Sequence, residues 1–403
     1  MTTDSPVILI GVGTAGASIA RDVNRAFGAN MRHLLLDTDA STGQPDEPFI
    51  LLGGNRLSGH GTGGDVVAGR LAAEDSVRLL DEHLEGVRLA VLVTALGGGT
   101  GGGATLETTK HLSDLGVPTV VFATTPFSFE GEDRQRNARG VMSMIEDSAN
   151  TTFFLPLDKL VNGTDNMELA LQQALRTLAD GITLFWRLIA KPGYIRLDAE
   201  RLRHIMTGAG RGRFATVTFQ GPNRATEVLD ALIRSELLAT SSGPVRSALC
   251  GILAGDDLLL SEVGKIATGV KDSFGGLTFD LATVNDESSF HGKISVVVML
   301  FESDGKPDDG AKPVAVMGAR RRKSKSVLGS GPSGRGRFQN AAPTIWNGED
   351  LDIPTFIRKD ITLDLYARWS CTGAPAPRGE QNRRGRGRGT PGLRRQGAHR
   401  ERH

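Results

Sequence analysis

Cysteine is scarce. The 403 residues hold two, Cys250 and Cys371, far apart in the chain. Two distant thiols make no disulfide framework, so a reducing, cytoplasmic setting is expected. No His/Cys group has metal-ligand spacing, and no His-Glu-x-x-His occurs, so no metal-binding side chains are expected. Long apolar runs are also missing: Ile294-Ser-Val-Val-Val-Met-Leu-Phe301, among the longest, is far too short to span a bilayer. The opening Met1-Thr-Thr-Asp-Ser-Pro6 is polar and has no basic start, which argues against a signal peptide. The pattern G-x-x-x-x-G-K-[ST] is absent, which excludes a phosphate loop built around a lysine.

Charge is unevenly placed. The net charge of +1 combines −10 over residues 1–303 with +6 over 304–348, −2 over 349–377 and +7 over 378–403. An acidic globular body with basic extensions is implied. Residues 304–348 are dominated by Gly, Pro, Ser, Lys and Arg and read as a disordered linker. An acidic-apolar island follows from Glu349 to Lys359, and then a low-complexity tail with Arg383-Arg-Gly-Arg-Gly-Arg-Gly389.

Glycine, by contrast, is abundant, and it gathers where strands end. Val7-Ile-Leu-Ile10 reads as a buried strand and runs into Gly11-Val-Gly-Thr-Ala-Gly16, then a helix to about Phe27. Leu34-Leu-Leu36 is a second strand, ending at Asp37-Thr-Asp39. Gly59-His-Gly-Thr-Gly-Gly64 precedes a helix over 66–80, and strand 89–96 runs into Gly97-Gly-Gly-Thr-Gly-Gly-Gly103, with helix 104–115 beyond. Strands 119–123 and 152–155 complete a parallel sheet with helices on both faces. Leu171, Leu175, Leu178, Ile182, Phe185 and Ile189 form one apolar stripe on a helix over 166–190, which ends before Lys191-Pro-Gly193. Residues 213–303 repeat β and α signals and read as a second α/β domain.

The spacing Gly11, Gly13, Gly16, with Asp37 further on, fits a dinucleotide site. An NAD-dependent oxidoreductase is one reading, though no catalytic His or Tyr-x-x-x-Lys supports it. Three glycine loops at successive strand ends fit better with a broad cradle of backbone N–H groups for chained phosphates.

These residues resemble the FtsZ family of bacterial tubulin-like cell-division GTPases. Gly97–Gly103 is similar to the family signature, although Gly102 stands where the family usually has Thr or Ser. Pro126-Phe-Ser-Phe-Glu-Gly131 with Arg134 matches a family loop, and Asp37–Ala40, Gly61–Gly63 and Gly69-Arg70 fall in its order. The resemblance runs over about residues 6–359. It implies a tubulin/FtsZ-like α/β fold, with a Rossmann-like parallel-sheet GTP-binding domain (1–165) joined by a long central helix (166–190) and a synergy loop and connector (191–212) to a smaller α/β domain (213–303). A linker (304–348), a partner-binding peptide (349–360) and a disordered tail (361–403) would follow. The cradle would be Gly13, Thr14, Ala15, Gly16, Ala17 and Ser18 with Gly97, Gly98, Gly99, Thr100, Gly101 and Gly102, aided by Glu130, Arg134 and, at the base, Gln173. GTP with Mg2+ is implied. So are head-to-tail filaments at the division site on the inner face of the membrane. Asp352, Ile353, Pro354, Phe356, Ile357 and Arg358 would dock membrane-tethering division proteins. The resemblance does not cover the basic 378–403 tail, whose charge alone suits anionic lipid or nucleic acid.

Two departures stand out. The family's synergy loop Asn-Leu-Asp-Phe-Ala-Asp is here Arg196-Leu-Asp-Ala-Glu-Arg201, so Asp198 keeps the first catalytic carboxylate, Arg201 replaces the second, and Glu200 sits one position early. In the base pocket Leu157, Glu168 and Gln173 replace an Asn, an aromatic and an Asp, unless Asp165 or Asn166 moves in. A GTPase of reduced turnover is expected. The alternative is a polymerising scaffold with little hydrolysis.

Overall fold

Val7 to Val12 forms a strand all six of whose residues are buried, five of them with apolar side chains. Odd-numbered Val7 and Leu9 face one apolar layer, and even-numbered Ile8, Ile10 and Val12 face the other. The computed structural model describes residues 5–303, apart from 28–30, 162–165, 191–192, 207–208, 240–242, 275–277 and 287–289, and beyond them only 345–346 and 349–350.

The first half of the chain runs β1 (Val7–Val12), α1 (Gly13–Phe27), β2 (His33–Asp37), β3 (Phe49–Leu51), α2 (Gly54–Leu57), α3 (Val66–Ser76), α4 (Asp81–Leu84), β4 (Leu89–Ala95), α5 (Thr105–Asp114), β5 (Thr119–Thr125), α6 (Glu132–Ser148) and β6 (Thr151–Pro156). After α7 (Leu157–Leu160), α8 (Met167–Ala190) and α9 (Ala199–Met206) come β7 (Arg211–Gln220), α10 (Arg224–Ile233), α11 (Glu236–Ala239), β8 (Val245–Ala254), α12 (Leu260–Phe274), β9 (Thr278–Asn285) and β10 (Lys293–Glu302). The sequence reading missed α6, whose thin apolar face of Ala138, Val141 and Ile145 is masked by charge.

All ten strands share one sheet, ordered β3-β2-β1-β4-β5-β6-β7-β10-β8-β9. The pairs from β3 through β7 are parallel. β10 runs antiparallel between β7 and β8, and β8 pairs parallel with β9. The two expected α/β halves therefore continue one sheet, through two residue pairs between β6 and β7. Helix α8 packs on one face of both halves: Leu178, Ile182 and Phe185 share a cluster with Leu9, Val91, Leu249 and Val297. Leu171, expected in that stripe, is exposed with Met167 and Leu169 in the first turns. Lower down, Arg187 on α8 donates to Asp286 at 2.7 Å and to Ala26 O at the end of α1 at 3.2 Å.

The chain divides into two units, Met1–Pro313 and Val314–His403. In the second, β11 (Ile345–Trp346) pairs antiparallel with β12 (Glu349–Asp350), where a linker and the start of the peptide were expected. Asp352, Ile353, Pro354, Phe356, Ile357 and Arg358 and the basic tail lie outside the described residues.

Behind β8 and β10, Arg224 is 5% exposed and forks onto Glu262 while also pairing with Asp257 at 2.6 Å. The Arg224 hydrogen bond holds the Glu262 carboxyl below its ordinary pKa. A lowered folded pKa means that this stabilisation is complete above the unfolded value, about 4.3, and fades as pH falls through the lower folded one. Arg224→Met leaves two carboxylates unpaired and is expected to cost about 3 kcal/mol at neutral pH. Urea unfolding across pH 3–7 checks both points, since the variant should also lose part of the acid sensitivity.

Candidate functional site

One end of the candidate site lies at the carboxyl ends of β1 and β4. β1 passes into α1 with no intervening residue, and Gly13 takes a left-handed φ of 74° that an L side chain resists. The first N–H groups of α1 have no helical partner and face outward. Gly99 leads into a single π turn over Thr100–Ala104 before α5, and such turns recur at functional sites. The two helix starts nearly touch, since a Cβ on Gly13 would lie 3.3 Å from Gly101 N.

Asp37 fixes these loops. It is 2% exposed, and its Oδ2 accepts from Thr14 Oγ1 at 2.9 Å and Thr42 Oγ1 at 2.7 Å. Its Oδ1 accepts from the backbone N–H of Thr38 at 2.7 Å. Thr38 in turn meets Thr100 hydroxyl to hydroxyl at 2.6 Å. The loops after β1, β2 and β4 are thus tied through threonine hydroxyls and the buried Asp37 carboxylate. The dinucleotide reading loses its key acceptor here, because both Asp37 oxygens are engaged within the protein.

The glycine run answers to two demands. A Cβ on Gly99 would overlap Thr62 and Asp65, on Gly101 Ala95 O, and on Gly103 Val66 O. Those glycines let α3 and β4 approach the π turn backbone to backbone, which a purely phosphate-facing reading of Gly101 did not anticipate. Gly98 differs: a Cβ there meets nothing within 4 Å. Thr14 and Ser18 are exposed on α1, whereas Gly16 and Ala17 are buried on the same helix.

Beside the cradle, Glu130 accepts from Phe127 N at 2.8 Å and from Arg134 at 2.7 Å. The two expected contact residues therefore pair with each other and brace the loop entering α6. Phe127 and Phe129 stack at 5.0 Å, with Phe129 64% exposed.

Between α1 and α8 lies a crevice of about 530 Å³, lined by residues including Ser18, Asp22, Arg25, Gln172, Arg176 and Asp180. Gln173 is exposed and does not line it; Gln172, one helical position earlier, does. Leu157 is buried in the core and offers the crevice nothing. Asn166 accepts from Leu169 N at 3.0 Å as a helix cap, and Asp165 lies outside the described residues. Burial raises the Asp180 carboxyl above its ordinary pKa, against the pull of Arg176.

The expected carboxylates stand elsewhere. Asp198 caps α9 by accepting from Glu200 N at 3.1 Å, and both are exposed. Arg201 forks onto Asp280 of β9, Nε to Oδ1 at 2.7 Å and Nη2 to Oδ2 at 3.0 Å. That hydrogen bond holds the guanidinium pKa above its ordinary value. β7 follows α9 closely and pairs its first residues with the first residues of β6, so α9 sits near the amino edge of the parallel strands. The cradle is at the carboxyl edge. Helix α8, 24 residues long, spans about 36 Å between them. The structure thus assembles the cradle and the carboxylate loop separately. Asp280, Asp22 and Gln172 were not singled out in the sequence, and no local pattern marks them.

The profile of the Tubulin/FtsZ family, GTPase domain, matches residues 6–165. The curated cell division protein FtsZ of Rhizobium radiobacter is 29% identical over 326 residues, covering 78% of this chain and 55% of that protein. The chain thus spans little more than half the length of this relative. Among solved structures, an empty FtsZ dimer from M. jannaschii aligns with a TM-score of 0.68 at 24% identity, over 73% of this chain and 87% of that one. A GTPgS-bound protofilament of CetZ2 from Haloferax volcanii aligns at 0.61 and 21% identity, over 73% and 92%. At these identities the solved structures speak for the fold.

The two kinds of glycine can be separated. Gly101→Val should lower the melting temperature of the nucleotide-free protein by several degrees, about 4 °C or more. Gly98→Val should leave it unchanged yet weaken GTP binding at least about tenfold, as 1.4 kcal/mol of steric loss would. Thermal melts paired with calorimetric GTP titrations read both.

Proposed function

We propose that this chain, whose residues 6–165 match the GTPase domain of the Tubulin/FtsZ family, is a cell-division GTPase of the FtsZ type, which binds GTP at the α1 and π-turn cradle, assembles head to tail, and hydrolyses GTP at the junction between subunits. The observation that carries this reading is the separation of the cradle from Asp198 and Glu200, along a helix of 24 residues. One subunit alone holds half a site. A neighbour stacked in the same direction brings its carboxylate edge onto the cradle, and such a contact repeats without closing.

In the proposed reaction the backbone N–H groups of the cradle hold the phosphates, and Asp198 of the adjoining subunit orients the attacking water. Glu200 assists. Magnesium supplies charge neutralisation on the phosphates when bound. Among the described residues no group of three His, Cys, Asp or Glu side chains gathers at the cradle. Asp352–Arg358 would recruit membrane-tethering division proteins, and the arginine-rich tail would add contact with anionic lipid. Among the described residues no helix is long and apolar enough to cross a membrane.

The second reading, a polymerising scaffold with little hydrolysis, draws on the Arg201–Asp280 pair. Arg201→Asp, the change that would recreate the family carboxylate, would set it against Asp280 at the same fork. A gain in turnover from that variant is therefore not expected.

Phosphate release per molecule should rise steeply with protein concentration and level off above the threshold at which GTP-dependent pelleting begins. Asp198→Ala should still bind GTP and pellet while kcat falls on the order of 100-fold. Flat activity across the threshold would argue against a shared site. Turnover close to zero in the parent, with pelleting retained, would favour the scaffold.

Base discrimination should also be modest. With no Asn at position 157 and a neutral Gln172 in the crevice, ITP should compete with GTP to within about tenfold, the loss of one hydrogen bond of roughly 1.4 kcal/mol. Competition binding with labelled GTP checks this.

A further inference from the structure

We propose that Arg201 is a catalytic arginine delivered in trans, its guanidinium held by Asp280 and placed on the γ-phosphate of GTP bound to the next subunit. The inference rests on the reading of GTP hydrolysis between subunits and names a group that reading did not use.

Arg201 stands in the first turn of α9, on the same turn as Glu200 and three residues after the Asp198 cap. Three positions apart, Asp198 and Arg201 fall on the same face at the start of α9. Its side chain is 43% exposed, whereas Asp280 is 16% exposed on a strand, so the acceptor is a fixed base and the arginine is the outward member. Nε and Nη2 are used by the fork, and Nη1 has no partner among the described residues. A free arginine samples many rotamers; a forked one presents its remaining N–H groups in one plane. Asp280 is therefore a positioning residue. The loop leading into α9 exposes Tyr194 at 77% and Ile195 at 40%, an apolar pair suited to cover by a neighbouring subunit. Cover excludes water, which strengthens the attraction of a guanidinium for phosphate oxygens.

The chemistry asks for no further co-reactant. A water oxygen bonds to the γ-phosphorus as the bond from that phosphorus to the β,γ-bridging oxygen breaks. The electron pair stays on the β-phosphate of GDP, and the proton from water ends on inorganic phosphate. Arg201 donates hydrogen bonds to the γ-oxygens as charge spreads over them and gives up no proton. A cation at the position of the family's second carboxylate thus changes the kind of catalysis there from water activation to charge stabilisation.

The test compares full-length wild type, Arg201→Ala, Arg201→Lys and Asp280→Asn in phosphate release above the pelleting threshold. Assembly is measured alongside with a non-hydrolysable GTP analogue and with GDP plus aluminium fluoride, which mimics the flat transferring phosphoryl group. Arg201→Ala should lower kcat on the order of 10³-fold. It should leave KM and analogue-driven pelleting near wild type, and abolish the extra filament stability given by GDP–aluminium fluoride. Arg201→Lys, lacking the fork, should recover little. Asp280→Asn should lower kcat less than Arg201→Ala, and add nothing when combined with it. Arg201→Ala turning over within about tenfold of wild type, or faster, overturns the proposal while leaving hydrolysis between subunits standing. A wild type that pellets but releases no phosphate overturns both. Arg201→Ala that fails to pellet with the analogue makes the residue an assembly contact and also overturns the proposal.

Discussion

Seven adjacent parallel strands, β3 through β7 in the sheet order, give this protein two chemically different edges. At the carboxyl edge, strands end in helix starts with outward N–H groups, a setting for anions. At the amino edge lie α9, its capping Asp198, Glu200 and Arg201. The direction of a parallel sheet cannot be reversed locally, so no small shift brings one set to the other. Helix α8 makes the separation rigid, because its apolar face is packed against strands of both halves of the sheet and its lower end is tied through Arg187. The proposal that a second subunit completes the site follows from this polarity.

The cradle shows how the packing serves the ligand. Asp37 gathers Thr14 and Thr42, and through Thr38 the network extends to Thr100, so three loops are tied to one another by the protein's own hydrogen bonds. The glycines at 99, 101 and 103 bring the π turn against α3 and β4. Preorganised donors need no rearrangement when phosphate arrives. Much of the glycine density is thus a packing requirement, and the open backbone at Gly98 is the part that a ligand can reach.

Much of this was legible in the sequence because it depends on local pattern. Buried strands announced themselves by apolar runs, the glycine loops by their placement after those runs, and α8 by its stripe of leucines. The family resemblance supplied the rest of the order. What the sequence could not show depends on helix phase and on long-range pairing. Gln173 and Gln172 differ by 100° around α8, and only Gln172 lines the crevice. Leu157 aligned with a base-pocket position but turned into the core. Arg201 read as a lone departure from a motif until its partner appeared 79 residues away on β9. The continuity of the sheet across β6 and β7 rests on two residue pairs and has no signature in composition.

The central claim is that a working site needs a cradle from one subunit and a carboxylate loop from another. Mixing two inactive variants tests it directly. Gly98→Val damages only the cradle and Asp198→Ala only the loop. In a mixture, a junction that joins the intact cradle of one to the intact loop of the other is complete. At a GTP concentration above the wild-type Kd and well below the weakened Kd of Gly98→Val, the account predicts that each variant alone releases little phosphate and that an equimolar mixture recovers turnover, up to about a quarter of the wild-type rate if subunits assort at random. A mixture no more active than its separate components, under conditions where both variants enter the same filaments, would contradict it.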